Sequence, residues 1–322
     1  MKGISVILLV AFALAVAGPA TAQKWPDKPV RLVVPYPPGG NVDTAARIVA
    51  PGLQEIFGQP FIVENRAGAG GMIAGEAVAK SAPDGYTLFF TANGPLLFSP
   101  LIFGRTPYRW DKDFVPVSSV SFTSLALVVH PSVPAKTLKD LIDAAKKDPG
   151  KLLVATPGAG TTNHLVSELL QTLSGASWTT VHYKGNAPAT TDLIAGQVQF
   201  NFDQVSVATP YIKQGRVRAL AVTSEKRVPS LPDVPTFAEA GYPAMEAATF
   251  TGVLAPAGTP KDIITRMHAA LEKVLQDNNV RQRFDGIGAD ARASSPEAFG
   301  SYLKKEYDKW APVIIKAKIN AD

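Results

Sequence analysis

Two loops of the chain carry residue types that bind small anions, and the first spans residues 35–43 (PYPPGGNVD), between an apolar run and a helical pattern. Gly39 and Gly40 let the backbone approach a ligand without an intervening Cβ. Asn41 or Asp43 can cap the helix. Because the first N–H groups of a helix lack partners inside it and lie at the positive end of its dipole, the loop predicts a carboxylate or phosphate site. The structural alternative is a tight, capped strand-to-helix connection.

The second loop, residues 156–163 (TPGAGTTN), repeats this plan in the middle of the chain. Thr161 and Thr162 add two hydroxyls to the N–H donors of the helix start. The loop is not a dinucleotide fingerprint, because Asn163 stands where the third glycine would be. Three or four charge-assisted hydrogen bonds of about 1.5–3 kcal/mol each would hold a small acid with no Arg or Lys in contact.

Three further segments are weaker candidates. The glycines of residues 68–71 are interpreted as a close-packed turn. Residues 93–94 and 183–185 follow predicted strands, at the ends where α/β receptors gather ligand contacts. Asp203 also ends an apolar strand, so it is either a ligand contact or an exposed cap.

Catalytic chemistry has no signature in the chain. There is no Cys, and no Gly-x-Ser-x-Gly elbow is present. His164 and Glu168 lie one helical turn apart, but one His and one carboxylate make a weak metal site. We therefore expect a protein that is not an enzyme and that has no metal and no cofactor.

The elements that position these loops alternate between strand and helix, which predicts an α/β fold with largely parallel sheets. Strands are predicted at 32–34, 61–63, 86–91, 125–129, 152–155, 180–183, 198–202, 219–223 and 249–254, and helices at 43–57, 72–80, 137–147, 164–173, 187–194 and 261–276.

The first 22 residues read as a signal peptide, with Lys2 before an apolar core at residues 4–17 and a small-x-small cleavage site at residues 20–22. Removing them lowers the formal charge from +5 to +4, since Lys2 is their one charged residue. The remaining 300 or so residues suffice for two lobes. No basic run is interleaved with aromatics, so nucleic acid is not expected as a partner. With no Cys to lipidate, a free periplasmic protein is predicted.

Five motifs in this order resemble the Bug (Bordetella uptake gene) family, the periplasmic solute receptors of tripartite tricarboxylate transporters. The resemblance runs from about Trp25 to Pro312. The motifs are residues 35–43 (PYPPGGNVD), 63–71 (VENRAGAGG), 83–88 (PDGYTL), 182–185 (HYKG) and 232–236 (PDVPT).

The resemblance implies a type II periplasmic-binding-protein fold, in which two α/β lobes are joined by two crossing strands and the ligand lies in the cleft between them. We expect residues 23–127 and 251–322 to form lobe 1, and residues 128–250 to form lobe 2. The crossing segments near residues 123–131 and 248–256 are the expected hinge.

The resemblance also implies that backbone amides and ordered waters hold a carboxylate. His164 matches a family position but is not assigned to the ligand, and Tyr36 stands where members often have Phe or Trp. The contact residues implied by the matching motifs are Tyr36, Gly39, Gly40, Asp43, Thr161, Thr162, Tyr183 and Asp203.

The implied function is capture of a small carboxylate and its delivery to the membrane permease subunits of a tripartite transporter, by a monomeric receptor. An aliphatic di- or tricarboxylate and an aromatic acid both remain open as ligands. Two alternatives are a receptor that signals to a membrane sensor protein and, with less support, a periplasmic hydrolase or isomerase.

Overall fold

The computed structural model describes residues 25–316 and residue 319. The predicted signal peptide at residues 1–22 lies outside the described residues. Within residues 25–316, no helix combines the length and the apolar character needed to cross a bilayer.

The described chain contains ten strands and ten α-helices. The strands are β1 (Val30–Val34), β2 (Phe61–Asn65), β3 (Thr87–Thr91), β4 (Phe114–Val129), β5 (Leu153–Thr156), β6 (Thr179–His182), β7 (Phe200–Gln204), β8 (Arg218–Val222), β9 (Ala248–Pro256) and β10 (Asp290–Ala291). The helices are α1 (Asn41–Phe57), α2 (Met72–Ala79), α3 (Ser99–Ile102), α4 (Leu138–Lys147), α5 (Thr162–Ser174), α6 (Asn186–Ile194), α7 (Val205–Lys213), α8 (Lys261–Gln276), α9 (Asn278–Gly286) and α10 (Pro296–Lys316).

The strands form two sheets that share β4, in the order β2-β1-β3-β9-β4-β7-β5-β6. Strands β2, β1 and β3 are parallel, and β9 joins β3 and β4 in antiparallel pairs. On the other side, β5, β6 and β7 are parallel to one another, while β7 and β8 run antiparallel to β4. We call the part built on β1, β2, β3 and β9 the first lobe, and the part built on β5, β6, β7 and β8 the second lobe.

Strand β4 passes from one lobe to the other. It pairs with β9 as far as Ser124 and with β7 from Leu125 onward. Thr223, just after β8, joins this crossing to the return crossing. Its hydroxyl accepts a hydrogen bond from the Leu125 N–H (2.9 Å) and donates one to the Ala247 carbonyl (2.6 Å). The two crossings are therefore hydrogen-bonded to each other.

Each lobe buries a core between its sheet and its helices. Helix α1 begins at Asn41, two residues before the predicted start, and ends at Gly58 in the left-handed conformation. Its apolar face packs on α8, where a Cβ on Gly52 would lie 2.8 Å from the Val274 side chain, so the two helices meet at a glycine. This packing fixes the direction in which the first turn of α1 points.

The turn at residues 68–71 is close-packed, as predicted. Gly71 has a φ of 87°, and a Cβ there would lie 2.6 Å from Pro95. Helix α10 was not predicted, and it packs Trp310 against Phe98 with ring centres 6.0 Å apart. The other elements that were not predicted are the first two-thirds of β4, strand β10 and helices α3, α7 and α9.

Candidate functional site

A narrow cavity lies between the two lobes, where loops that follow strands of both sheets meet. The free space inside is about 30 Å³, room for about two or three water molecules. The first lobe lines it with Tyr36, Pro37, Pro38, Gly40, Asn41, Val42, Ala92, Gly94 and Thr249, and the second lobe with Pro157, Thr161, Thr162, Asn163, Gly185, Asn186, Ala187, Pro188 and Gln204.

Three helices begin at this cavity: α1, α5 and α6. The N-caps of α1 and α6 are Gly40 and Gly185, and neither helix has a capping side chain. Helix α5 is capped by Thr161, whose hydroxyl accepts a hydrogen bond from the His164 N–H at 3.3 Å. The first N–H groups of α1 and α6 thus have no side-chain acceptor, and a bound anion would supply one.

Among the described residues that line the cavity, none carries a charge. Positive potential there comes from the N-terminal ends of three helix dipoles, and each is equivalent to roughly half an elementary charge. The arrangement favours an anion without a fixed ion pair.

Asp43 supports the first-lobe wall from behind. Its carboxylate accepts hydrogen bonds from the Gly39 N–H (2.9 Å), Arg47 Nε (3.0 Å) and Asn65 Nδ2 (2.9 Å). Asn65 Nδ2 also donates to the Tyr36 carbonyl at 2.9 Å. Burial alone would raise the pKa of Asp43, but the hydrogen bonds from Arg47, Gly39 and Asn65 outweigh it and lower the pKa. An ionised Asp43 therefore holds the loop in place.

Asp203 supports the second-lobe wall in the same way but with neutral partners. It accepts hydrogen bonds from Asn186 Nδ2 (2.7 Å), Thr190 Oγ1 (2.7 Å) and the Gln204 N–H (2.9 Å). Burial raises the pKa of Asp203 to about 6, against the opposing effect of these hydrogen bonds. Asp203 is 1% exposed, so the alternative of an exposed cap is wrong.

Side-chain amides connect the two second-lobe helix starts. Gln204 Nε2 donates to Asn163 Oδ1 (2.9 Å), and Asn186 Nδ2 donates to Gln204 Oε1 (2.5 Å). These three lining residues were not among the predicted contacts. Asn186 directly follows the HYKG motif and Gln204 directly follows Asp203, so the signal available in the sequence was their position at strand ends.

His164 and Tyr183 lie outside the cavity lining. The His164 Nδ1 accepts a hydrogen bond from the Gly160 N–H at 3.2 Å. Burial, together with the neighbouring His182, lowers the pKa of His164 to about 3, so the ring is neutral and serves as an acceptor. The Tyr183 hydroxyl donates to Asp192 at 2.7 Å, and burial raises the pKa of Tyr183 to about 12.

The eight predicted contact residues thus fall into two groups. Tyr36, Gly40, Thr161 and Thr162 line the cavity. The other four stand outside the lining, where groups of the protein engage them: the Gly39 N–H binds Asp43, the Tyr183 hydroxyl binds Asp192, and the carboxylates of Asp43 and Asp203 have three partners each.

The two lobes touch at glycines. A Cβ on Gly94 would lie 2.7 Å from the Gly160 carbonyl oxygen, and one on Gly40 would lie 3.4 Å from Asn186 Oδ1. The lobes therefore approach each other closely beside the cavity, backbone to backbone at Gly94 and backbone to side chain at Gly40.

Comparisons with known proteins agree with this architecture. The family model described as "Tripartite tricarboxylate transporter family receptor" (TctC) matches residues 45–319. Protein BugT of Bordetella pertussis is 38% identical over 300 residues, which cover 93% of this chain and 92% of BugT.

Two solved structures with ligands share the fold. R. palustris Rpa4515 with adipate superposes with a TM-score of 0.88 at 36% identity, covering 92% of this chain and 99% of that chain. MatC from Rhodopseudomonas palustris with bound malate gives a TM-score of 0.85 at 33% identity, covering 90% and 100%.

These matches extend over nearly the whole chain, and another structural neighbour at 34% identity is the periplasmic binding protein BugD. The predicted two-lobed α/β binding-protein fold is confirmed. The chain belongs to the Bug family of tripartite tricarboxylate transporter receptors.

Proposed function

We propose that this protein is a periplasmic receptor that captures a small carboxylate in the cleft between its lobes and delivers it to a tripartite-type permease. The observation that carries the proposal is the convergence of three helix N-termini, two of them without a capping side chain, on a cavity whose described lining is uncharged. Such a site supplies hydrogen-bond donors to a carboxylate, and its described lining holds no acidic side chain that would repel one.

Hydrogen bonds of this kind provide enough free energy. Each charge-assisted bond contributes about 1.5–3 kcal/mol. Three or four of them, from the starts of α1, α5 and α6, approach the roughly 8 kcal/mol that corresponds to micromolar affinity. Specificity among acids would then come from the shape of the cavity and from its neutral side chains.

The structural neighbours indicate the ligand class. One is described with adipate and another with malate, both aliphatic dicarboxylates. The Thr162 hydroxyl in the lining, which has no partner among the described residues, also favours a ligand with several oxygen acceptors. We therefore place an aliphatic dicarboxylate ahead of an aromatic acid.

Closure follows from the position of the site. Donors from both lobes reach one ligand only when the cleft is shut, so binding shifts the population toward the closed form.

In this proposal residues 1–22 direct export and are removed, and the mature chain works as a monomer. The proposed lobe boundaries lie near residues 127/128 and 250/251, and the change of β4 partners between Ser124 and Leu125 supports the first of them.

The test is a thermal-shift screen of the refolded mature chain against mono-, di- and tricarboxylates, aromatic acids, amino acids and sugars. Refolding removes any acid retained from the host. A ligand at a hundredfold excess over its dissociation constant stabilises the native state by about 2.7 kcal/mol. Shifts confined to a few carboxylates are expected, whereas no shift with any acid, or a shift with a neutral sugar alone, would contradict the proposal.

A further inference from the structure

Two buried side-chain polar atoms in the described part of the cavity lining have no hydrogen-bond partner: Asn41 Nδ2 and Thr162 Oγ1. The two residues are 3% and 2% exposed. Buried polar groups are nearly always paired, because leaving one unpaired costs its full desolvation penalty. Thr162 belongs to the loop already expected to contact a ligand, whereas Asn41 was considered only as a helix cap.

The other end of the Asn41 amide is held by the protein. Asn41 Oδ1 accepts hydrogen bonds from Ser206 Oγ at 3.1 Å and from Thr123 Oγ1 at 3.4 Å. Asn41 is the first residue of α1 in the first lobe, Ser206 lies in α7 of the second lobe, and Thr123 lies in the crossing strand β4. The amide therefore bonds to both lobes and to the crossing strand at once.

The two ends of the amide differ in their contacts. Oδ1 is engaged by two hydroxyl donors, whereas the N–H groups of Nδ2 have no acceptor among the described residues. Asn41 also lines an outer groove beside Thr44, Tyr211 and Gln214, so it stands where the cavity meets the mouth of the cleft. A hydrogen-bond donor at that place needs an oxygen acceptor from whatever enters.

We propose that Asn41 links ligand recognition to closure: its Nδ2 donates to an oxygen of the bound acid, while its Oδ1 keeps the hydrogen bond to Ser206 of the opposite lobe. This inference rests on the proposed function. Without an acid, no described protein group accepts a hydrogen bond from Nδ2 while the Asn41–Ser206 bond is made. With an acid bound, both ends of the amide are satisfied, so the ligand favours the closed form through this residue as well as through its own contacts.

The test compares Asn41→Ala with two matched variants, Ser206→Ala and Thr123→Val, by calorimetric titration. The probes are C4–C6 dicarboxylates and hydroxydicarboxylates, including adipate and malate. Asn41→Ala removes both functions of the amide and is expected to weaken binding by about 10-fold to 100-fold. Ser206→Ala and Thr123→Val leave Nδ2 in place and are expected to weaken binding by no more than about fivefold.

A second measurement uses the wild-type protein and does not depend on whether Asn41→Ala folds. Asn41→Asp keeps an acceptor for Ser206 and Thr123 but replaces the donor by a carboxylate oxygen, and it identifies the Asn41 side-chain NH2 signals in a ¹⁵N–¹H spectrum by their disappearance. In the wild type those signals should shift when adipate or malate saturates the site.

The outcomes separate the two proposals. If the wild type binds none of these acids, the carboxylate-receptor function and this inference both fail. If the wild type binds but Asn41→Ala loses no more affinity than Ser206→Ala, or the side-chain NH2 signals stay unmoved, the receptor function stands and the role of Asn41 is overturned.

Discussion

The two walls of the cavity are each supported by one buried carboxylate, yet the two carboxylates are stabilised in opposite ways. Asp43 behind the first-lobe wall is paired with Arg47, at 3.0 Å. Asp203 behind the second-lobe wall is held by an amide, a hydroxyl and a backbone N–H. Both carboxylates fix a helix start at the cavity, Asp43 with a neighbouring cation and Asp203 without one.

The difference has an electrostatic consequence. The charge of Asp43 is balanced locally by Arg47, and its pKa is lowered, so the first wall is the same throughout the physiological pH range. The pKa of Asp203 is raised to about 6, and no cation offsets its charge among its hydrogen-bond partners. The second wall therefore gains a negative charge near an anion site as the pH rises through about 6.

The largest effect should come from preventing the two walls from meeting. Gly40 has an ordinary φ of −83°, so Gly40→Leu leaves the backbone unstrained, but the side chain enters the space beside Asn186 Oδ1, 3.4 Å from its Cβ position. We expect binding of adipate or malate to fall by at least about 100-fold, with the midpoint of thermal unfolding nearly unchanged.

Gly286→Leu is the matched control, since a Cβ there meets no atom within 4 Å. It should leave both affinity and unfolding as in the wild type. Equal affinity of Gly40→Leu and Gly286→Leu would remove Gly40 from the site.

The second effect concerns the first wall alone. Asp43→Asn replaces one carboxylate oxygen by an NH2 group, which cannot accept a hydrogen bond from Gly39, Asn65 or Arg47. One hydrogen bond is therefore lost, and the NH2 group faces a second donor. We expect a loss of about 3 kcal/mol in the free energy of unfolding at pH 7, measured by urea denaturation. Asp111→Asn, in a more exposed pair with Arg109, is the control and should change stability little. A loss no larger than that of the control would mean that Asp43 does not fix the loop.

The third effect tests the second wall and has the opposite dependence on pH. The folded pKa of Asp203, about 6, lies above its unfolded value near 3.9. The stabilisation from its protonated form is fully present below about pH 4 and is lost as the pH rises to about 6. Relative to Asp203→Asn, the wild type should lose about 2 kcal/mol of unfolding free energy between pH 4 and pH 6.5.

The corresponding comparison for Asp43 sharpens the contrast. Because its folded pKa is lowered, its stabilisation is present above the unfolded value and is lost as the pH falls below about 3.9. Urea unfolding at a series of pH values should therefore give difference curves of opposite slope for Asp43→Asn and Asp203→Asn. Slopes of the same sign would refute the assignment of opposite pKa shifts.

The smallest effect is on ligand affinity. An ionised Asp203 opposes an anion in the cavity, so the wild-type affinity for malate relative to that of Asp203→Asn should fall about threefold to tenfold between pH 5.5 and pH 7.5. The ratio of the two proteins cancels the protonation of malate itself. A constant ratio would place the Asp203 charge too far from the ligand to matter.

The sequence predicted the two helix-start loops because their pattern is local: an apolar strand, a Gly-rich turn and a capping residue. It predicted a helix near residues 187–194 and the strand-end loop before it, but not that this helix start is a third candidate anion site, because Gly185 and Asn186 offer no Gly-rich turn with a capping residue. The layered arrangement of Asp43 and Asp203 was also missed, because whether a carboxylate faces a ligand or a neighbouring side chain is decided by tertiary contacts.

Strand β4 shows a further limit. Its first part, Phe114 to Ser124, is rich in Ser and Thr and does not read as a buried strand. All of these hydroxyl residues except Ser124 are nevertheless buried. Some pair with hydroxyls of neighbouring segments, as Ser121 does with Thr251 (2.7 Å) and Ser119 with Ser294 (2.8 Å). Polar strands that satisfy their hydrogen bonds across the sheet escape a search for apolar runs.

The contact between Gly94 and the Gly160 carbonyl has a consequence for selectivity by size. Where backbone meets backbone, no side chain can move aside to let the lobes draw closer, so under the proposed closure this contact sets the narrowest width of the cleft. An acid shorter than that width leaves donors unreached, and a longer one keeps the lobes from reaching it. The backbone contact therefore selects for one ligand length.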